Sequence, residues 1–295
     1  MKTDLKFRMI SLLVAVVMIL GGSCRSVAQE RVGANGETED IIQVDTIKVK
    51  SSKMDKTIKN VVIVPAQYYD EDLQNEQYPV IYLLHGHSGD FSNWIKKKPE
   101  LEDAASEYSI IIVCPDGDAS WYFDSPIDPK IQYETYIVNE LIPYIDNNYR
   151  TIPEAKMRAI TGLSMGGHGG LWLGLRHPDV FGACGSMSGG VDITPFPEKW
   201  AIKQALGNYT TNKAVWESHS VINLVPKLSK TSGQKIIFDC GCDDFFFKVN
   251  NNLHEAMLKA GIPHDYIVRP GNHNWKYWCN SIDYQLLFFA KFFGE

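Results

Sequence analysis

Positive charge is scarce in this chain, and so is cysteine. The 295 residues include 29 Lys and Arg against 35 Asp and Glu, which gives a net charge of −6 at pH 7. Because nucleic-acid binding needs clustered positive charge, we expect no nucleic-acid partner. Six cysteines are too few for a small disulfide scaffold, and 44% hydrophobic residues exclude a disordered tail. These proportions predict an ordinary globular protein.

The apolar run Met9–Leu20 is too short to cross a membrane. It holds twelve residues, whereas a spanning helix needs about twenty, so we expect no transmembrane span. Three positive residues precede the run: Lys2, Lys6 and Arg8. A positive start followed by a short apolar run is typical of a signal peptide, which we assign to residues 1–28.

Two processing sites fit this signal. Ser26 and Ala28 are small residues at the positions that signal peptidase reads, which predicts cleavage before Gln29. The alternative is lipoprotein processing at Cys24, although Gly21 stands where lipoprotein signals usually carry Leu. Either route exports the protein, so we expect a periplasmic or secreted location.

Strands alternate with helices along the rest of the chain. Continuous apolar runs indicate buried strands, and a 3.6-residue period indicates helices. The predicted strands are Asp45–Lys50, Thr57–Pro65, Tyr78–Leu84, Ser109–Cys114, Met157–Thr161, Ala183–Ser188, Lys235–Cys240 and Tyr266–Arg269. The predicted helices are Tyr133–Tyr149, Gly166–His177, Asn251–Ala260 and Ser281–Phe293. We expect Pro143 to kink the first helix or to mark its last turn.

This alternation favours an α/β fold, in which a mostly parallel sheet carries helices on both faces. We find no internal repeat and no linker, so residues 45–295 are expected to form a single domain. Residues 29–44 are expected to form a flexible lead-in. Residues 191–233 are irregular in pattern and are expected to form a cap or insertion.

The segment Gly162–Gly166, with the sequence GLSMG, matches the pattern G-x-S-x-G. A predicted strand enters it and a predicted helix leaves it, which is the context of a nucleophile elbow. The serine of such an elbow lies in a strained turn, and its neighbours must be small so that strand and helix can approach. Ser164 is therefore the candidate nucleophile.

A serine hydroxyl needs a base, and the base needs an orienting carboxylate. His273 lies in a loop just past a buried strand, where loops form the crevice of an α/β sheet. In this arrangement the acid precedes the histidine in the chain. Asp243 and Asp244 both follow the strand at Lys235 in a suitable loop, so both remain candidates for the acid.

Two backbone N–H groups are needed to stabilise the negative oxygen of the reaction intermediate. The residue after the nucleophile supplies one, which points to Met165. The loop after strand Tyr78–Leu84 supplies the other. Gly86 lets the backbone turn towards the serine, so the second donor is expected to be the His87 N–H. No metal ion or organic cofactor is needed for this chemistry.

Four stretches resemble one known group of enzymes: LLHGHSGD, GLSMGGHGG, DCGCDDF and PGNHNWKYW. They resemble the esterase D group of α/β-hydrolases over residues 45 to 293. That group includes S-formylglutathione hydrolases, tributyrin-type esterases, mycolyltransferases, and the feruloyl and acetylxylan esterases of carbohydrate esterase family one. The resemblance implies the α/β-hydrolase fold and favours Asp244 as the acid. It also implies a substrate-binding role for Trp121 and Tyr122. We expect Trp275, which follows the candidate base by two residues, to contact the substrate as well.

The sequence thus predicts an exported serine carboxylesterase. Its catalytic residues would be Ser164, Asp244 and His273, and its substrates short-chain acyl or aromatic esters such as acetyl and feruloyl esters. Export favours small-molecule or polysaccharide-linked esters over glutathione thioesters. One alternative is acyl transfer of the mycolyltransferase type, in which a sugar or lipid hydroxyl replaces water. Another is a catalytically inactive carbohydrate-binding protein on the same fold.

Overall fold

The computed structural model describes residues 29–32, 38–41 and 43–295, so the predicted signal peptide lies outside the described residues. Strand β1 (Gln29–Val32) pairs antiparallel with strand β2 (Thr38–Ile41). These two strands lie within the segment 29–44, for which the sequence predicts a flexible lead-in. This hairpin belongs to one compact unit, which ends at Ile41, and Ile42–Glu295 form a second.

The second unit is built on an eight-stranded sheet with the order β10-β9-β8-β7-β5-β6-β4-β3. Six neighbouring strands, β10 to β6 in that order, run parallel, and β4 and β3 continue the sheet antiparallel. The strands are β3 (Val44–Ser51), β4 (Lys56–Ile63), β5 (Val80–Leu84), β6 (Ile111–Pro115), β7 (Arg158–Gly162), β8 (Ala183–Met187), β9 (Lys235–Gly241) and β10 (Asp265–Arg269). The predicted mostly parallel α/β sheet is confirmed, and each strand lies within two residues of its predicted bounds.

Nine α-helical segments occur among the described residues. They are α1 (Asn93–Lys97), α2 (Leu101–Tyr108), α3 (Tyr133–Thr135), α4 (Ile142–Asn148), α5 (Met165–Arg176), α6 (Ile202–Leu206), α7 (Lys213–Ser218), α8 (Phe247–Ala260) and α9 (Trp275–Phe293). Helices α1 and α2 were not predicted, because each is short and buries only one or two apolar side chains. In the described parts of the chain, no helix combines the length and the apolar character needed to cross a bilayer.

The helix predicted over Tyr133–Tyr149 is interrupted. The segment Tyr136–Leu141 forms a wider π-helical turn between α3 and α4. Pro143 then lies in the first turn of α4 and does not end the helix, which continues to Asn148. A proline is tolerated in a first turn because that backbone position needs no N–H donor.

Helices cover both faces of the sheet. In β5 all five side chains are buried: Val80, Tyr82 and Leu84 face one apolar cluster, and Ile81 and Leu83 face the other. Helices α5 and α8 contribute to the first cluster, and α2 and α9 to the second. Residues 191–233 contain α6, α7 and a 3-10 helix (Val221–Lys227), and pack on the first face.

A buried carboxylate joins α3 to α5 on this first face. Glu134 accepts hydrogen bonds from Trp172 Nε1 at 3.0 Å, Arg176 Nε at 2.9 Å and His177 Nε2 at 2.8 Å. No motif in the sequence pointed to this cluster. Burial raises the pKa of Glu134, but the hydrogen bonds and charge of its partners outweigh burial and hold the pKa below 4.5.

Glu134→Gln should destabilise the fold at neutral pH by about 2 kcal/mol, because charge-assisted hydrogen bonds are lost. The lowered pKa means that the carboxylate stabilises the fold above pH 4.5 and that this stabilisation is lost as the pH falls further. Urea unfolding at pH 7 and pH 4 measures the difference. The control is Glu217→Gln on the exposed face of α7, which should change stability by less than about 0.5 kcal/mol. A wild-type-like Glu134→Gln at pH 7 would contradict the prediction.

Candidate active site

Ser164 occupies a strained turn between β7 and α5. Its φ of 56° lies in the left-handed region, which non-glycine residues rarely adopt. The flanking glycines allow this turn to pack on β5. A Cβ on Gly162 or on Gly166 would lie 2.6 Å from the Leu84 carbonyl oxygen. The G-x-S-x-G pattern is therefore a steric requirement of the turn, and the half-buried serine is held at its tip.

A chain of hydrogen bonds runs from this serine to a buried carboxylate. Ser164 Oγ lies 2.9 Å from His273 Nε2, and His273 Nδ1 lies 2.8 Å from Asp244 Oδ2. The other carboxylate oxygen, Oδ1, accepts from the Phe246 N–H at 2.8 Å. The Asp244 side chain is fully buried, whereas 14% of the His273 side chain is exposed. The carboxylate is thus shielded, and the imidazole reaches the crevice.

Two loops at the carboxyl ends of β9 and β10 hold these residues together. The Cys242 N–H donates to the Arg269 carbonyl at 2.9 Å, and the Asp243 N–H donates to the Gly271 carbonyl at 3.0 Å. A Cβ on Gly241 would lie 2.2 Å from that Gly271 oxygen, so only glycine permits this approach. The Asp243 side chain points into solvent, and the buried Asp244 is the carboxylate that meets the histidine.

The other histidines are engaged elsewhere. His168 is fully buried, its Nε2 donates to a backbone carbonyl, and burial lowers its pKa to about 4. His177 follows the last residue of α5, and its Nε2 donates to Glu134 at 2.8 Å. His254 and His264 are bonded to each other at 2.8 Å.

The loop after β5 lies against the serine. A Cβ on Gly86 would lie 3.4 Å from Ser164 Cβ. The His87 N–H donates to no backbone or side-chain acceptor among the described residues. Met165 is the first residue of α5, so its N–H has no acceptor within the helix. Neither expected backbone donor has an acceptor among the described residues. Met165 directly follows the serine in the chain, and His87 belongs to the loop that packs against it. The His87 side chain is hydrogen-bonded to Ser88 Oγ at 3.0 Å, and burial lowers the pKa of the His87 imidazole.

Two of the residues expected to bind substrate are not accessible. Trp121 is 1% exposed, packs edge-on against the buried His168 ring and donates from Nε1 to the Trp200 carbonyl. Tyr122 is 0% exposed, and its hydroxyl donates to the His85 carbonyl. The physical reason is the left-handed turn at both residues, with φ of 57° and 60°, which directs both rings into the core. Neither ring is therefore accessible for the substrate contact that the resemblance implied.

Other aromatic rings surround the imidazole instead. Phe245 is 52% exposed, and its ring centroid lies 4.2 Å from that of His273. Trp200, from the 191–233 segment, stacks on Phe245 at 5.5 Å and 18°. The Trp278 ring stands perpendicular to the imidazole at 4.9 Å. Trp275, the third expected substrate-binding residue, is half-buried against Trp278 and one further ring. The only sequence signal for Phe245 was its position directly after the candidate acid.

The strand order and the serine turn place the protein among the α/β-hydrolases. A family model described as "Putative esterase" matches residues 51–289. The chain belongs to this esterase family. The resemblance to the esterase D group and the prediction of a carboxylesterase are confirmed.

Several individual proteins are similar to the chain. An acetyl esterase of Caldicellulosiruptor saccharolyticus is 26% identical over 246 residues, which cover 79% of this chain and 92% of that protein. The structure of a ferulic acid esterase is 30% identical with a TM-score of 0.73, and the match covers 85% of this chain and 98% of that one. An S-formylglutathione hydrolase of Staphylococcus aureus shares the fold at 21% identity and a TM-score of 0.72, covering 84% and 99%.

Proposed function

We propose that the protein is an exported carboxylesterase that hydrolyses short-chain acyl and aromatic esters through Ser164, His273 and Asp244. The observation that carries the mechanism is the continuous hydrogen-bonded chain between these three residues, with distances of 2.9 and 2.8 Å. A nucleophile, a base and an orienting carboxylate within hydrogen-bond reach are what acyl transfer to serine requires.

The reaction follows from this arrangement. Ser164 Oγ attacks the ester carbonyl carbon while His273 Nε2 takes its proton. Asp244 fixes the proton on Nδ1 and stabilises the imidazolium. The oxygen that becomes negative accepts from the N–H groups of His87 and Met165. His273 then protonates the leaving alcohol, and water attacks the acyl-enzyme by the same route to release the acid.

The surroundings of the base support aromatic and short-chain substrates. The exposed ring of Phe245 and the ring of Trp200 form a stacked pair beside His273. Flat apolar rings bind the rings of aromatic acids and the apolar faces of sugars. The similarity to an acetyl esterase and to a ferulic acid esterase supports the same two classes of ester. In this proposal Phe245 and Trp200 take the role that the sequence suggested for Trp121 and Tyr122.

Removing any member of the triad should nearly abolish hydrolysis. Ser164→Ala, His273→Ala and Asp244→Asn should each lower kcat for p-nitrophenyl acetate by about a thousandfold or more. Double variants should lose little further activity, because the three residues act as a unit. Steady-state kinetics on the purified variants measures kcat. Labelling by a fluorophosphonate reports whether the serine is still activated.

Asp243→Asn is the matched control for the acid. The Asp243 side chain is exposed. The substitution removes the same negative charge one residue away from Asp244, so this variant should retain wild-type kcat. A loss in Asp243→Asn with full activity in Asp244→Asn would transfer the role to Asp243. Full activity in Ser164→Ala would exclude the mechanism altogether.

Trp200→Leu should raise KM for methyl ferulate by about fivefold, because a ring contact of about 1 kcal/mol is lost. Its KM for ethyl acetate should change less, since this ester carries no ring that could stack on Trp200. Steady-state measurements with both esters test this difference. The control is Tyr69→Leu, which truncates an aromatic ring that is 50% exposed elsewhere on the surface and should change neither KM. Equal KM changes for both esters in Trp200→Leu would remove Trp200 from the binding surface.

Export rests on the charged start, the short apolar run and the small residues before Gln29. Protein expressed at full length in a Gram-negative host should carry Gln29 at its N-terminus, or a lipid-modified Cys24. Intact-mass spectrometry of the purified protein distinguishes the two. A Cys24→Ala variant should leave the Gln29 form unaffected and eliminate the lipidated form. An intact Met1 segment in the purified protein would contradict export.

A further inference from the structure

The peptide unit between Gly86 and His87 is fixed from its carbonyl side. The Gly86 oxygen accepts from the Gly89 N–H at 3.0 Å, and His85 Nδ1 lies 2.8 Å from the same oxygen. The peptide bonds of the described residues are trans. Because a trans peptide is planar, its N–H points opposite to its C=O. The two contacts to the Gly86 oxygen therefore set the direction of the His87 N–H.

The His85 ring donates to that oxygen in one defined tautomer. The Gly117 N–H donates to His85 Nε2 at 2.8 Å, so Nε2 is an acceptor and the ring proton resides on Nδ1. Asp116 Oδ1 lies 3.6 Å from Nε2, which is too far for a hydrogen bond. Since the ring is only 1% exposed, water does not compete for either nitrogen. The hydrogen bond from the Gly117 N–H thus keeps the proton on Nδ1, and this proton is the one that His85 donates to the Gly86 oxygen.

Tyr122 fixes the preceding peptide unit. Its hydroxyl donates to the His85 carbonyl oxygen at 3.2 Å. The ring is held in place by close packing, since a Cβ on Gly117 would lie 2.4 Å from it and a Cβ on Gly169 2.5 Å. Gly117 and Tyr122 both belong to the loop after β6. This loop therefore fixes two consecutive peptide units of the loop after β5: Gly117 acts through the His85 ring on the Gly86 carbonyl, and Tyr122 acts directly on the His85 carbonyl.

The Gly86 end of this loop packs against the turn that carries the nucleophile. A Cβ on Gly86 would lie 2.5 Å from Leu163 Cδ1 and 3.4 Å from Ser164 Cβ, so no side chain separates the loop from the serine turn. The His87 N–H has no acceptor among the described residues. A donor held in a fixed direction beside the serine needs no reorganisation when negative charge develops on a substrate oxygen.

We propose that His85 and Tyr122 are positioning residues that aim the His87 N–H at the carbonyl oxygen of the bound ester. Neither touches the substrate. His85 acts through the Gly86 carbonyl, and Tyr122 through the His85 carbonyl. The inference rests on the proposed function and assigns Tyr122 a role in rate enhancement in place of the substrate contact expected from its sequence position.

Two substitutions of His85 separate its two ring nitrogens. His85→Asn places an amide N–H near the position of Nδ1 and can still donate to the Gly86 oxygen. His85→Gln places its amide near Nε2 and loses that donor. We expect His85→Gln to lower kcat for p-nitrophenyl acetate about a hundredfold with KM unchanged. The reason is that a misdirected His87 N–H weakens the hydrogen bond to the substrate oxygen, which matters only when that oxygen becomes negative in the transition state. His85→Asn should lose no more than about fivefold.

A boronic acid gives a second readout that a merely structural role would not move. It forms a tetrahedral adduct with the serine and so resembles the transition state, whose analogues bind more tightly than substrates. The affinity for butylboronic acid should fall in His85→Gln in parallel with kcat/KM and stay near wild type in His85→Asn. Equal losses in folded Asn and Gln variants, or a loss confined to KM, would overturn the role of His85.

Tyr122→Phe removes one oxygen and keeps the packed ring. It should lower kcat about tenfold with KM unchanged, and a wild-type kcat would overturn the role of Tyr122. If thermal unfolding shows that neither His85 variant folds, the result for Tyr122→Phe decides the proposal alone. Ser164→Ala is measured in the same assay. If it is inactive, the proposed function stands and a fully active His85→Gln overturns this inference only; if it is fully active, both are overturned.

Discussion

The structure depends on the close approach of helix α5 to the sheet. Glycines recur every four residues along the face of this helix that meets the strands. A Cβ on Gly170 would lie 2.4 Å from the Gly185 carbonyl oxygen, and one on Gly174 would lie 2.2 Å from Cys184 Cβ. At Gly162, Gly166, Gly170 and Gly174 the helix and the sheet are so close that no side chain fits between them. The strained backbone conformation of Ser164 is maintained because this close packing fixes the chain on both sides of it.

A consequence of this packing is that the reactive groups meet at one edge of the sheet. Parallel strands end at the same edge, so the loops after β5, β7, β9 and β10 bring their residues together without any long-range adjustment. Backbone hydrogen bonds between the loops then set the finer geometry, as between Asp243 and Gly271. The buried carboxylate of Asp244 is satisfied by a backbone N–H and an imidazole, and needs no cation beside it.

Local spacing was sufficient to predict the serine turn, the histidine loop and the strands, because each depends on neighbours in the sequence. The sequence could not reveal the direction of the Trp121 and Tyr122 rings, since this follows from a left-handed turn of two non-glycine residues. Phe245 could not be recognised because its stacking partner, Trp200, lies 45 positions earlier in the chain. The Glu134 cluster likewise joins residues that are about 40 positions apart, and no local pattern reports such a contact.

The division between rigid and variable parts follows from burial. The residues that are proposed to direct the chemistry lie on strand ends or on loops tied to them, and His85, Tyr122 and Asp244 are almost completely buried. The ring that flanks the imidazole on the open side is 52% exposed, and its stacking partner comes from the 191–233 segment. Changes in that segment can therefore alter what stacks beside the base without moving the buried donors. In the proposed function, substrate choice and catalytic geometry would therefore be carried by different parts of the fold, and a single fold can support different functions in this way.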